Sequence, residues 1–166
     1  MLQQQLIDIF TGKITNWNEV GGNDQEIVVM NRASGSGTRA TFETFGLKGA
    51  VGIQSQEQDS SGTVRKIVAE TPGAISYLAL SYIDDSLQAL SIDGVEPTIE
   101  NIQTNDWVIW SYQHVYTKGE PAPGVQEFLD YLVSDEVQQG VVQDLGYVAI
   151  TDMKVERSAT GEVTNK

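Results

Sequence analysis

The sequence predicts a mixed α/β domain built around one sheet, because strand-like and helix-like segments alternate along its 166 residues without an internal repeat. Two segments carry this prediction. Residues 27–30, with the sequence IVVM between polar neighbours, are typical of a buried strand. A helix with one apolar face is indicated by the spacing of Val125, Phe128, Leu129, Leu132 and Val133.

The first elements follow from local spacing and turn signals. Residues 2–10 place apolar side chains at helical intervals, and Gly12 stands where a left-handed residue commonly ends a helix. Residues 15–22 are rich in turn formers, so we expect a connection there with Trp17 and Val20 packed into the core.

The elements in the middle of the chain are predicted mainly from a helix N-cap and from a helix-breaking Pro-Gly pair. A helix is predicted over 39–45, directly after the loop that follows the first strand. Ser60 or Ser61 is a natural N-cap for the next helix, whose end is marked by a Pro-Gly pair. Residues 74–80 and 87–92 are then predicted to be strands.

The last third of the chain is expected to hold a short helix at 97–102 and the most strand-like run of all. That run comprises residues 107–110 and 115–116, which are aromatic and β-branched. The amphipathic helix follows it. From about Lys154 the sequence is polar, and we expect a frayed tail.

Charge and composition exclude several classes of function. With 10 basic and 23 acidic residues the net charge is −13, which disfavours binding to nucleic acids or anionic membranes. The chain has no Cys and a single His, so thiolate chemistry, Cys-based zinc sites and His-rich metal sites are excluded. His114 has no evident Ser-Asp partners and is interpreted as structural. No catalytic residue, metal site or cofactor is predicted.

One loop has the composition of an oxyanion site. It lies between the strand at 27–30 and the next helix, and it reads Arg-Ala-Ser-Gly-Ser-Gly-Thr-Arg from Arg32. Glycines let main-chain N–H groups turn into one concavity, and a helix start adds unpaired donors. Ser36 and Thr38 add hydroxyl donors, and Arg32 adds a guanidinium that can make a bidentate hydrogen-bonded contact. Because the protein as a whole repels anions, such a site has to act through short, oriented hydrogen bonds.

Two other interpretations of this loop stay open on spacing alone. It could simply cap the following helix. Residues 35–40 also fit the relaxed dinucleotide pattern G-x-G-x-x-[GA], which requires an acidic residue about 20 positions on, at the end of a second strand. Glu57 lies near that distance, but in a polar run where no strand is predicted.

The chain resembles a known family over nearly its whole length. The segment 8–17, the loop with Arg32 and Gly-Ser-Gly-Thr-Arg, the Pro-Gly-Ala-Ile-Ser-Tyr of 72–77 and the region 116–133 occur in the family's order. They are similar to the phosphate-binding proteins of high-affinity phosphate ABC importers (the PstS type). Ser76 stands where that family usually has Gly.

The resemblance implies one lobe of a two-lobed type II periplasmic-binding-protein fold, with a domain at 1–153 and a polar tail at 154–166. It also implies that inorganic phosphate is bound non-covalently, without an enzymatic reaction. The phosphate-binding residues would be Arg32, Gly35, Ser36, Gly37 and Thr38. Further candidates are Ser34, where some members have an Asp that pairs with the Arg, and Arg39 and Ser61.

The resemblance further implies an extracytoplasmic setting, often as a surface lipoprotein, and the membrane permease of an ABC importer as partner. The family's N-terminal segment, which supplies other ligand contacts, has no counterpart here. The chain is therefore expected to correspond to the second lobe with the C-terminal return and to bind phosphate weakly; its oligomeric state stays open. A receptor for sulfate or molybdate is the alternative within this fold, and a nucleotide-dependent enzyme is the alternative outside it.

Overall fold

A three-stranded parallel sheet with the strand order β2-β1-β3 organises the fold. The computed structural model describes residues 1–166 and confirms the mixed α/β class. A separate antiparallel pair lies at the C-terminal end. The strands are β1 (Val28–Arg32), β2 (Gln56–Gln58), β3 (Ala74–Ile75), β4 (Val155–Arg157) and β5 (Val163–Asn165).

Helices flank the sheet and connect its strands. They are α1 (Gln3–Phe10), α2 (Gly37–Thr41), α3 (Ser61–Glu70), α4 (Ile99–Gln103), α5 (Pro123–Leu132) and α6 (Val142–Asp144). π-helical turns extend α2 over Phe42–Gly46 and precede α6 over Val137–Val141, and 3-10 turns occupy Trp17–Val20 and Leu80–Tyr82. No helix combines the length and the apolar character that crossing a membrane would need.

The main core lies between α1, the sheet and the π-helical turn after α2. Its buried residues are Leu6, Ile9, Phe10, Val29, Phe42, Leu47, Ile75 and Tyr77. An aromatic cluster holds its centre: the rings of Phe42 and Tyr77 stack at 4.0 Å, and Phe10 meets Phe42 edge-on at 4.7 Å. The apolar face predicted for the first helix is confirmed, and that helix ends at Phe10, two residues before Gly12, whose φ is +77°.

The polar strand β2 was not predicted from the sequence. Its three residues pair in parallel with the end of β1, with Arg32 opposite Gln58, although none of them is apolar. A strand at the edge of a sheet needs only its main chain for pairing, and here its side chains remain largely exposed. Hydrophobic patterning therefore gives no signal for it.

The strand predicted over 74–80 is shorter than expected. Only Ala74 and Ile75 pair with β1, and Gly73, directly before β3, has a φ of +79° that an L side chain would adopt only under strain. Beyond Ile75, the Ser76 hydroxyl donates to the carbonyl oxygen of Met30 at 2.7 Å. Side chains thus continue the contact to β1 after main-chain pairing has ended.

Two further strand predictions are wrong. Residues 87–92 contribute a single bridge, between Ile92 and Val95, and the run from 107 to 116 forms no strand pairing. The main chain from 111 to 117 makes no main-chain hydrogen bond within the protein. β-propensity reports how well a side chain fits a sheet surface, and it forms a strand only where a partner strand is adjacent.

The helix predicted at 125–133 is confirmed as α5, but its apolar side chains are not in a core. Val125 is 45% exposed and Phe128 is 56% exposed. The amphipathic pattern therefore predicts the helix and not its burial in this chain.

The C-terminal residues are ordered, so the fraying expected beyond Lys154 is wrong. Strands β4 and β5 form a hairpin whose Val155 is buried in a second small core with Ile102, Trp110 and Met153. Arg157 holds the hairpin in place, because its guanidinium lies between the rings of Phe45 and Trp110 at 3.9 and 4.0 Å. Burial lowers the pKa of this Arg, and no carboxylate pairs with it.

Candidate functional site

The carboxyl ends of β1 and β2 bring two helix starts to one edge of the sheet. Because the two strands are parallel and in register at Arg32 and Gln58, the chain leaves both at the same edge. Ser36 caps α2 by accepting a hydrogen bond from the Arg39 amide, and Ser60 caps α3 by accepting one from the Thr63 amide. Both helix starts therefore present main-chain donors beside the end of β1.

The side chain of Arg32 connects these two segments. Its Nη1 donates to the Ser61 Oγ at 2.6 Å, its Nη2 to the carbonyl oxygen of Asp59 at 2.6 Å, and its Nε to the carbonyl oxygen of Gln58 at 3.3 Å. A guanidinium carries five N–H groups, so one on each terminal nitrogen remains available. The cation is thus fixed in direction, with part of its donor capacity unused.

Arg32 is a buried cation without a counter-ion. The residue is only 8% exposed, and none of the four ion pairs of the chain includes it. Ser34, at the position where some relatives were expected to carry an Asp, is exposed and makes no hydrogen bond to Arg32. Burying an uncompensated charge is costly, so this arrangement favours an anion as neighbour.

The loop that follows Arg32 keeps several amides free of internal acceptors. The Ser36 amide is used in a turn to the carbonyl oxygen of Ala33. The amides of Ser34, Gly35, Gly37 and Thr38 donate to no acceptor within the chain, and the same holds for Ser61 and Gly62 at the start of α3. Unpaired amides at a helix start are suited to bind an oxyanion.

Arg39 is directed away from these free amides. Its guanidinium donates to Glu43 at 2.7 Å, to Glu57 at 2.5 Å and to the carbonyl oxygen of Arg32 at 2.8 Å. Both carboxylates raise its pKa above the ordinary Arg value. Glu57 is the middle residue of β2, close to the strand end that the dinucleotide pattern requires, but its carboxylate is paired with Arg39.

Sequence reasoning missed the residues that support Arg32 from inside the protein. The Arg32 amide donates to the Tyr77 hydroxyl at 3.2 Å, and that hydroxyl donates to the Asn31 Oδ1 at 3.2 Å. Burial raises the pKa of Tyr77. A polar Asn inside an apolar strand was the available signal, since a buried amide requires partners.

His114 is exposed on the unpaired segment, between the rings of Tyr112 and Tyr116 at 6.3 and 6.0 Å. It makes no hydrogen bond to a Ser or carboxylate. This placement agrees with its interpretation as a structural residue.

Comparison with protein families matches residues 1–136 to the PBP superfamily domain. The chain is 54% identical over 161 residues to the phosphate-binding protein PstS of Bacillus subtilis, an alignment that takes in 96% of this chain and 54% of that protein. It is 29% identical to PstS of Borreliella burgdorferi, over 89% of this chain and 57% of the relative. The chain thus spans about half the length of the curated relatives it matches.

Solved structures give the same result. A putative phosphate ABC transporter substrate-binding protein with bound phosphate from Clostridium perfringens superimposes with a TM-score of 0.81 at 36% identity, over 90% of this chain and 63% of that one. An ABC-type phosphate transport receptor from Vibrio cholerae gives 0.71 at 25% identity, over 89% and 63%. These comparisons confirm the family resemblance drawn from the sequence.

Proposed function

Because this chain belongs to the PBP superfamily, we propose that it acts as the solute-binding part of a phosphate ABC transporter and holds inorganic phosphate non-covalently. The observation that carries the proposal is the buried Arg32, which lacks a counter-ion, bonds to the start of α3 and directly precedes the loop whose free amides lead into α2. The proposed ligands are Arg32, Gly35, Ser36, Gly37, Thr38 and Ser61, with Ser34 as a peripheral donor. Arg39 supports the loop through its hydrogen bond to the Arg32 carbonyl oxygen.

Phosphate fits this edge by charge and by donor geometry. A tetrahedral dianion can accept several hydrogen bonds at once, and the two remaining guanidinium N–H groups and the free helix-start amides can supply them. The Thr38 and Ser36 hydroxyls add donors, since the oxygen of Ser36 accepts from the Arg39 amide and leaves its proton free. The similarity to proteins named for phosphate binding supports phosphate as the anion.

The proposal includes no chemical step. Transport of phosphate requires only binding and release, and no nucleophile or general base accompanies the loop. A membrane permease of an ABC importer is the proposed partner, and an extracytoplasmic, lipid-anchored setting the proposed location. These follow from the similarity to transporter-associated relatives.

Sulfate is proposed as a second anion for this site, because of the hydrogen-bonding character of the proposed ligands. The ligands proposed here are amides, a guanidinium and hydroxyls, all of which can donate to the anion, so none of them requires a protonated oxygen. Sulfate carries only acceptors at neutral pH and meets the same donors. The chain by itself is therefore expected to bind phosphate and sulfate with similar, weak affinity, because donors on one side leave the rest of the ion in water.

Titration of the ¹⁵N-labelled chain with phosphate, sulfate and NAD tests the proposal. Both oxyanions should shift the amide resonances of Gly37, Thr38 and Ser61, and NAD should not. Submicromolar, phosphate-selective binding would contradict the expected weak and unselective site. A response to NAD with no response to inorganic phosphate would favour the nucleotide-dependent alternative.

A further inference from the structure

The main chain of Arg32 is held by side chains from outside the strand pair. Its amide donates to the Tyr77 hydroxyl, and its carbonyl oxygen accepts from Arg39. On the other side of β1, pairing with β2 continues to the end, where the Ala33 amide donates to the carbonyl oxygen of Gln58. The last residue of β1 therefore depends on Tyr77 and Arg39 where a third strand would otherwise pair.

Tyr77 reaches this position because β3 ends early. Main-chain pairing between β1 and β3 stops at Val29 and Ile75. Beyond that point the Ser76 hydroxyl bonds Met30, and the Tyr77 hydroxyl bonds Arg32. Two consecutive side chains thus take over from the main chain of β3.

The ring of Tyr77 contacts the segment on the far side of the loop. It stacks on Phe42 at 4.0 Å with 11° between the ring planes, and Phe42 directly follows α2. One buried side chain therefore touches the residue before the loop 33–36 and the helix after it. The Asn31 Oδ1 accepts a hydrogen bond from the Tyr77 hydroxyl and fixes the direction of that hydroxyl.

We propose that Tyr77 is a positioning residue of the anion site: its hydroxyl sets the main chain of Arg32, and its ring holds, through Phe42, the C-terminal end of the helix that carries Gly37 and Thr38. This inference rests on the proposed function. The free amides of the loop bind one ion only if both ends of the loop are held in register, and rigid support of a site's donors is what gives it affinity.

The test compares two neighbouring hydroxyls in the complete chain. Tyr77→Phe removes the hydroxyl and keeps the stacked ring, whereas Ser76→Ala removes the hydroxyl bonded to Met30 and serves as the matched control. Inorganic phosphate is titrated into each ¹⁵N-labelled variant, the dissociation constant is read from the amides of Gly37 and Thr38, and unfolding is measured in urea.

Tyr77→Phe should raise the dissociation constant for phosphate about three- to tenfold, the equivalent of one hydrogen bond. Ser76→Ala should leave that constant within about twofold of its value in the unmodified chain. It should lower the resistance to urea about as much as Tyr77→Phe does. Equal effects of both variants on phosphate binding, or an unchanged constant in Tyr77→Phe, would overturn the inference. Absence of any phosphate response in the unmodified chain would instead overturn the proposed function itself.

A measurement on the unmodified chain covers the case in which Tyr77→Phe does not fold. If the Tyr77 contact and anion binding support each other, saturating phosphate must slow hydrogen exchange of the Arg32 amide, because coupling between the two is reciprocal. The Val29 amide, on the same strand, is the reference. The inference would be overturned if phosphate did not slow exchange of the Arg32 amide, or slowed it no more than it slows exchange of the Val29 amide.

Discussion

The Nη1 of Arg32 donates a hydrogen bond of 2.6 Å to the Ser61 Oγ, and this contact joins the end of β1 to the first residue of α3. The two residues are 29 positions apart in the sequence. The contact fixes a buried cation at the start of α3, and the following predictions examine what each part of that arrangement contributes.

Arg32→Met should abolish the phosphate response and change the free energy of unfolding by less than about 1 kcal/mol. Loss of three hydrogen bonds is offset by removal of a buried charge that has no counter-ion. Titration calorimetry and urea unfolding measure the two quantities. Arg65→Met is the control, because it removes the same charge from an exposed pair with Asp84 and should keep phosphate binding. A large loss of stability in Arg32→Met alone would show that Arg32 is chiefly structural.

Ser60→Ala and Ser61→Ala should have different effects although the residues are adjacent. Ser60 caps α3, so its loss should lower the free energy of unfolding by about 1 kcal/mol with little effect on the anion. Ser61 holds Arg32, so its loss should weaken phosphate binding more than it lowers stability. Thermal unfolding with and without phosphate separates the two. If Ser60→Ala weakens phosphate binding more than Ser61→Ala does, the roles assigned to the two serines are wrong.

Sodium chloride should strengthen phosphate binding between low and physiological ionic strength, by about two- to threefold in the dissociation constant. The net charge of −13 repels a dianion, and screening reduces that repulsion more than it weakens short hydrogen bonds within the site. Titrations at two salt concentrations, repeated with choline chloride to control for sodium, measure the effect. Weaker binding at higher salt would mean that a local positive field dominates.

Stability should fall as the pH rises above about 10, the ordinary pKa of Tyr. The pKa of Tyr77 is raised in the folded protein by burial, so the unfolded chain loses that proton first and is favoured at alkaline pH. The contribution of the protonated Tyr77 hydroxyl to the free energy of unfolding is complete below the unfolded-state pKa. It is lost as the pH rises through the folded-state pKa. Urea unfolding between pH 9 and 11 should show a steeper decline in the unmodified chain than in Tyr77→Phe. Parallel curves would contradict this assignment.

Arg157→Lys should lower the free energy of unfolding by about 1–2 kcal/mol, because an ammonium lacks the flat faces that stack between Phe45 and Trp110. Lys154→Ala, at an exposed position beside the same hairpin, should change it by less than about 0.5 kcal/mol. Chemical denaturation of both variants gives the comparison. Equal losses would remove the special role assigned to Arg157.

The extent of agreement between sequence and structure differs by element. Helices α1, α3 and α5 and the buried strand β1 were predictable, because helix caps and apolar spacing are local properties. Strand β2 was not, because an edge strand of three polar residues has no apolar pattern. For residues 107–116 the error was the opposite one, since a strand was predicted and none forms. These residues favour a strand, but no strand lies beside them to pair with.

For the site, the sequence by itself determined the loop from Arg32 to Thr38 and its character as a set of anion donors, since Gly, Ser, Thr and Arg carry that chemistry wherever they stand. Only the tertiary structure decided that Ser61 joins Arg32, that Arg39 turns to Glu43 and Glu57, and that Tyr77 supports the end of β1. These contacts link residues 4 to 45 positions apart. Their geometry depends on the parallel register of β1 and β2 and on the early end of β3, which no local pattern specifies.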